Sequence, residues 1–312
     1  MQTGALHPEP VDRGRRAALK LMLAVALAPR VVRAEGHPRI GLALGSGGAR
    51  GLAHVLVFEV LDELGLRPHR IAGSSIGAIM GALYASGMSA ADIHARIDRL
   101  TVSPEETWFH SLLEEDLSRW LGFFRPTLGS GGLIGADAFL AYLSETTGRT
   151  AFEELRIPLQ VVATDMWTRE SVVLEAGELW PAVQASMAVP GLFPPVSLGE
   201  RYLVDGGLTN PLPYDLLLAD CDLTIAVDVL GTRTVDSSRD PSYFDTSFNT
   251  FQVMQMAILE EKLKRLQPDF LVRPDIKDVR VLEFYRFAEI FEQARPALET
   301  FRRDLALRLE RS

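Results

Sequence analysis

The sequence predicts a three-layer α/β/α domain on a mostly parallel sheet, and three observations carry the prediction. From Arg39 onward, short continuous apolar runs alternate with helix-period patterns, as in buried strands joined by crossover helices. Two of those runs stop at glycine-rich segments that open a helix, which is how a strand turns sharply into a crossover. The chain has 312 residues, 47% hydrophobic and 23% charged, enough for one large α/β domain or two small ones with a sizeable core. The same composition excludes collagen-like, low-complexity and disordered classes.

The elements follow in order. Ile40 to Leu44 is a continuous apolar run that ends at Gly45-Ser46-Gly47-Gly48-Ala49-Arg50-Gly51. Leu52, Val55, Leu56, Val60, Leu61 and Leu64 then recur three and four apart, which predicts a helix ending at Gly65. Arg70 to Ala72 is a second strand, followed by Gly73-Ser74-Ser75-Ile76-Gly77 and a small-residue helix to Ser86 and Gly87. Leu159 to Ala163 and Val172 to Glu175 are the next strands, separated by Thr164-Asp165 and a turn. Tyr202 to Val204 leads into Asp205-Gly206-Gly207, and Leu223 to Val229 is another buried strand. Residues 232–248, rich in Ser, Asp and Thr, read as a surface loop. The remainder from about Asn249 is mainly helical, with one strand at Phe270 to Val272.

Residues 1–34 read as a leader rather than as part of the fold. Arg15 and Arg16 precede the apolar stretch Leu21 to Ala28, and Val32-Arg33-Ala34 gives a small-residue cleavage pattern before Glu35. Gly14-Arg15-Arg16-Ala17-Ala18-Leu19-Lys20 resembles a twin-arginine export motif, with Gly and Ala at two of its usual Ser and aromatic positions. The expectation is an exported, periplasmic protein; a disordered tail on a cytoplasmic one is the alternative. The apolar stretch is too short to span a bilayer, which takes about 20 residues.

Charge and cysteine content narrow the chemistry. A net charge of −9 argues against a general nucleic-acid binder, because neutralising phosphates needs a basic face. The single cysteine, Cys221, excludes an internal disulfide framework and any multi-cysteine zinc or iron–sulfur site.

Gly73 to Gly77 has the Gly-x-Ser-x-Gly pattern between a predicted strand and a predicted helix. A serine on so sharp a turn needs small neighbours, hence Gly73 and Gly77, and Ser75 then stands at a helix N-terminus that favours developing negative charge. A serine nucleophile needs a base. After Ser75 only His94 and His110 remain, both too early for the Ser, acid, His order of an α/β-hydrolase triad. A carboxylate at another strand end can serve instead, and Asp205 is the candidate. Taken alone, Asp205-Gly206 reads more simply as a turn. The Gly45 to Gly51 segment fails both the dinucleotide fingerprint and the P-loop pattern. Its backbone N–H groups remain suited to an oxyanion, each such donor contributing about 3 kcal/mol to an acyl-transfer transition state.

These three pieces, in this order, resemble the patatin-like phospholipase family. The resemblance rests on Ser46-Gly47-Gly48-Ala49-Arg50-Gly51, on Gly73 to Gly77 and on Asp205-Gly206-Gly207. It extends to Ala163-Thr164-Asp165, to Ala185 through Pro195 and to Asn210-Pro211, with Ser46 replacing the first glycine of the family's loop. It implies a patatin-like fold over residues 35–312, with a core at about 39–230 and a helical C-terminal part as in the family's bacterial branch. It also implies a Ser–Asp dyad that hydrolyses acyl esters of lipids. Carried over by motif, Ser75 is the nucleophile and Asp205 the general base. The backbone N–H groups of Ser46, Gly47 and Gly48 form the oxyanion hole, with Gly45, Arg50, Gly51, Gly73, Gly77, Gly206 and Gly207 supporting the motifs. No metal or organic cofactor is implied, and the expected substrate is a phospholipid or lysophospholipid. An acyltransferase on the same dyad and a non-catalytic lipid-binding module are the rival readings.

Weaker signals complete the reading. Asp165 could orient the site, but a turn-forming role is the simpler one. Trp108-Phe109, Leu112-Leu113, Trp120 and Phe123-Phe124 could cap an acyl pocket or touch a membrane interface, and an ordinary packed helix pair explains them as well. The same holds for the apolar helix Phe251 to Leu259 and for Phe284, Phe287, Ile290 and Phe291 as covers of the pocket.

Overall fold

The computed structural model describes residues 38–101, 125–126, 134–232 and 243–311. The expected leader and the aromatic stretch from Trp108 to Phe124 lie outside the described residues, as does most of the expected 232–248 loop. The described residues fall in one compact unit.

The strands are β1 (Ile40–Leu44), β2 (Arg70–Ser74), β3 (Arg125–Pro126), β4 (Ile134–Gly135), β5 (Leu159–Asp165), β6 (Ser171–Leu174), β7 (Val196–Leu198), β8 (Arg201–Asp205), β9 (Leu223–Val227) and β10 (Phe270–Val272). The helices are α1 (His54–Glu63), α2 (Ile76–Ala85), α3 (Ala90–Thr101), α4 (Asp137–Thr147), α5 (Leu179–Met187), α6 (Tyr243–Leu263) and α7 (Phe287–Leu309). One sheet runs in the order β10-β9-β1-β2-β5-β8-β7, with β6 also on β5. Its first five strands are parallel, and β6, β7 and β8 are antiparallel to their neighbours.

The three layers follow from period-2 alternation along the central strands. Ile40, Leu42 and Leu44 of β1, Ile71 of β2 and Ile225 and Val227 of β9 face a large apolar layer. That layer is supplied by buried residues of α1, α2, α3, α4, α5 and α7. Ala43, Ala72 and Ala226, on the other face of the same strands, pack with Leu212, Tyr214 and Leu217 and with Leu259 and Leu263 of α6. Small alanines there let α6 and the chain after β8 lie close to the sheet.

The expected elements differ from the observed ones mainly at their ends. A short 3-10 turn, Gly48–Ala53, precedes α1, so the glycine-rich segment already winds before the helix begins. β2 reaches Ser74, two residues beyond the expected end. Helix α6 starts at Tyr243, within the stretch read as loop, because its polar side chains mask an otherwise continuous helix.

The register at β5 positions everything that follows. β6 takes one edge of β5 across Val161 to Thr164. On the other edge β2 runs up to Ser74, opposite Val162, and β8 comes the opposite way to end at Asp205, opposite Ala163. Two antiparallel strand tips therefore meet head-on along a single neighbour.

Candidate active site

Ser75 sits between β2 and α2 with φ 57° and ψ −124°, a left-handed conformation rarely held by a residue with a side chain. Its surroundings hold it there. Its N–H donates to Ser186 Oγ at 2.9 Å, and that hydroxyl donates in turn to the Val162 carbonyl at 2.6 Å. Its carbonyl accepts from the Ala78 N–H at 2.9 Å as α2 begins. Gly73 and Gly77 are required sterically: a Cβ on Gly73 would strike the Gly77 carbonyl, and one on Gly77 would strike the Leu44 carbonyl of β1.

The head-on strand tips bring Ser75 Oγ to 2.6 Å from Asp205 Oδ2, which accepts its hydrogen bond. Asp205 Oδ1 accepts from the Gly207 N–H at 2.7 Å, so both carboxylate oxygens are engaged. The backbone of Asp205 is fixed as well, its N–H donating to Ala188 O at 3.0 Å and its carbonyl accepting from Thr164 Oγ1 at 2.9 Å. Only 3% of Asp205 is exposed, and burial pushes its carboxyl up to about 6 against the pull of the Ser75 and Gly207 hydrogen bonds. Gly206 leaves room for this meeting, since a Cβ there would run into Val162 O and Ser74 Oγ.

The glycine-rich segment passes beside the same point but does not offer all three expected donors. The Gly45 N–H donates to Val227 O at 3.0 Å and the Ala49 N–H to Val281 O at 2.8 Å. The Ser46 N–H, expected in the oxyanion hole, donates to Pro211 O at 2.8 Å, so it is spent on fastening the loop. The physical reason is the turn after β8, which carries the Pro211 carbonyl against the end of β1. Gly47 and Gly48 lie between these anchors, and their N–H groups meet no acceptor among the described residues. They open the 3-10 turn, where first-turn amides have no partner of their own. Gly48 holds φ 59°, and a Cβ there would collide with the Val281 carbonyl.

Arg50 and His54 brace the segment from within. Arg50 is 3% exposed, and its Nε donates to the Gly47 carbonyl at 3.3 Å. His54 is fully buried, with Nε2 donating to the Gly45 carbonyl at 3.0 Å and Nδ1 unpaired. Burial pulls its imidazole down to about 4, which keeps it neutral. A Cβ on Gly51 would meet the Ile76 side chain, which explains the close approach of the turn to α2.

Asp165 takes the turn-forming role, its Oδ1 accepting from the Trp167 and Thr168 N–H groups at 2.9 and 3.0 Å. Ser186 lies in the Ala185 to Pro195 stretch that carries the resemblance, but the sequence assigns it no role, and the polar face of α6 has no sequence signal at all. A buried serine in Ala185-Ser186-Met187 carries no local signal of a bond to Ser75, 111 residues away. Among the described residues no group of three or more His, Cys, Asp or Glu side chains is disposed to hold a metal.

Fold and site together define an α/β protein with a strained serine elbow, at the end of parallel strand β2, facing a buried carboxylate at the end of antiparallel β8. The chain belongs to the patatin-like phospholipase family, whose family model matches residues 42–218 and so spans the glycine-rich segment, the Ser75 elbow and the Asp205 motif. An uncharacterized NTE family protein of Mycobacterium tuberculosis is 38% identical over 203 residues, covering 65% of this chain and 52% of that protein. Lysophospholipase NTE1 of Candida glabrata is 28% identical over 290 residues, covering 84% of this chain and 16% of that protein. The chain thus spans about half the length of the mycobacterial relative and a small part of the yeast one. Among solved structures, VipD from Legionella pneumophila aligns with a TM-score of 0.44 at 15% identity, covering 86% of this chain and 67% of that one. The type III effector ExoU aligns at 0.41 and 14%, covering 86% of this chain and 53% of that one.

Proposed function

We propose that the domain is a serine lipid acyl hydrolase of the phospholipase A or lysophospholipase type, working through a Ser75–Asp205 dyad. The observation that carries this reading is the 2.6 Å hydrogen bond from Ser75 Oγ to a buried carboxylate that has no histidine between. Family membership and the lysophospholipase name of the yeast relative support the choice of lipid esters.

The steps follow from the groups present. Ionised Asp205 takes the Ser75 proton through Oδ2 as Ser75 Oγ attacks the acyl carbonyl. The carbonyl oxygen becomes an oxyanion that the free N–H groups of Gly47 and Gly48 receive. Collapse breaks the ester bond, and Asp205 returns the proton to the departing alcohol, leaving an acyl-Ser75 ester. Water then attacks that ester, gives its proton to Asp205 and releases the fatty acid, with the proton passing back to Ser75. A buried carboxylate suits the role, because desolvation raises its basicity toward neutral pH.

The test is fatty-acid release from 1-palmitoyl lysophosphatidylcholine by the wild type, Ser75→Ala and Asp205→Asn. Release by the wild type and its loss in both variants is expected; release by Ser75→Ala at the wild-type rate would overturn the reading. Product analysis with glycerol added distinguishes hydrolysis from acyl transfer. On the twin-arginine-like motif alone, we also propose export of the domain to the periplasm, and fractionation of cells carrying Arg15→Lys and Arg16→Lys tests it.

A further inference from the structure

Helix α6 carries a row of side chains toward the site at helical spacing, and one of them has no partner. Gln252, Gln255, Leu259 and Lys262 follow one another at three, four and three residues, which sets them on one face. Leu259 is fully buried against the alanine face of the sheet. Gln252 donates through Nε2 to the Leu230 and Gly231 carbonyls at 2.7 and 3.2 Å. Lys262 Nζ donates to Asn210 Oδ1 and Asp215 Oδ1, each at 2.5 Å, and to Leu212 O at 3.0 Å. These bonds hold the loops on either side of the site.

Gln255 differs from its neighbours. Its side chain makes no hydrogen bond among the described residues, although it is half-buried. Its amide nitrogen stands against Gly207, and a Cβ on that glycine would strike Gln255 Nε2, Ser46 Oγ and Asp205 Oδ1 together. All three lie within 2.9 Å of that one point. A free amide and a serine hydroxyl therefore converge with the carboxylate, where no side chain on residue 207 could fit. The amide of Gln255 keeps its hydrogen-bonding capacity uncommitted to the protein beside the carboxylate, so it is placed to donate to a ligand oxygen.

Resting on the proposed hydrolase reading, the chemistry of an acyl ester says which oxygen that is. The carbonyl oxygen is provided for by the Gly47 and Gly48 amides, and the acyl chain has no acceptor. The acceptors left to satisfy are on the alcohol half. We propose that Gln255 is a substrate-binding residue whose amide N–H donates to an oxygen of the alcohol half, so that the site selects acyl esters of polyols. A site built to hydrogen-bond a substrate oxygen discriminates strongly against a substrate that lacks it.

The experiment compares kcat/KM for 1-palmitoyl lysophosphatidylcholine with that for p-nitrophenyl palmitate, which shares the acyl chain but has no glycerol oxygens. In Gln255→Met, of similar length, the ratio of the two values falls about tenfold. Gln255→Leu gives the same direction, and fluorophosphonate labelling of Ser75 in each variant verifies an intact fold. A ratio equal to the wild type's in labelled variants overturns the proposal. A wild type that cleaves neither ester overturns the hydrolase reading, and this assignment with it.

Discussion

The proposed dyad turns on one carboxylate and one strained serine. With Asp205 pushed up to about 6, the base is ionised only above that pH, so kcat/KM falls on the acid side with a limb near 6. A pH–rate profile of lysophosphatidylcholine hydrolysis checks this, and a flat profile from pH 5 to 8 would remove Asp205 as the base. Ser75→Ala and Asp205→Asn each lower kcat by about a thousandfold or more, as in enzymes whose catalytic groups act as a unit. At this scale the motifs were legible because they encode local geometry. Gly73 and Gly77 mark a turn that tolerates no Cβ, and Gly206 marks a close approach to Val162. The donor set was only partly legible. Gly47 and Gly48 retain free amides, whereas the Ser46 N–H is taken by Pro211, a partner 165 residues away in the chain that no local pattern announces.

Between elements, the site depends on two strand tips meeting along β5 and on the side chains that fasten them. Ser186 is the clearest of these fasteners. Ser186→Ala leaves the buried Ser75 N–H without its acceptor and Val162 O without its donor, a loss of about 2 kcal/mol. The expected fall in Tm is roughly 5 °C by calorimetry. An unchanged Tm would show that the elbow does not need this bond. Gly206→Ala is the harsher change, because its Cβ meets backbone at Val162 as well as Ser74 Oγ. Little soluble protein is expected, and a normally folded variant by circular dichroism would contradict the head-on arrangement. Strands β1, β5 and β9 were readable as apolar runs. The placement of α6 was not, since it depends on Ala43, Ala72 and Ala226 sharing one face of a sheet whose strand order the sequence does not state.

Over the whole molecule, two buried titratable groups give stability opposite dependences on pH. His54 is held down at about 4 from 6.5, so below 6.5 the unfolded chain binds more protons and stability falls as pH drops toward 4. Asp205 is held up at about 6 from 3.8, so between those values the folded chain binds more protons and stability rises as pH drops. Two variants separate these effects. Between pH 7 and 5, His54→Gln loses less Tm than the wild type, and Asp205→Asn loses more. Equal slopes for all three proteins would show that neither group is perturbed as the structure implies.

The most direct test of the central claim is the rate and position of labelling by a long-chain fluorophosphonate, read by peptide mass spectrometry. The account predicts a single adduct on Ser75 in the wild type and a rate that rises with pH through about 6. It also predicts at least a hundredfold slower labelling in Asp205→Asn. An adduct on another residue, or labelling of Asp205→Asn at the wild-type rate, would contradict a serine activated by Asp205.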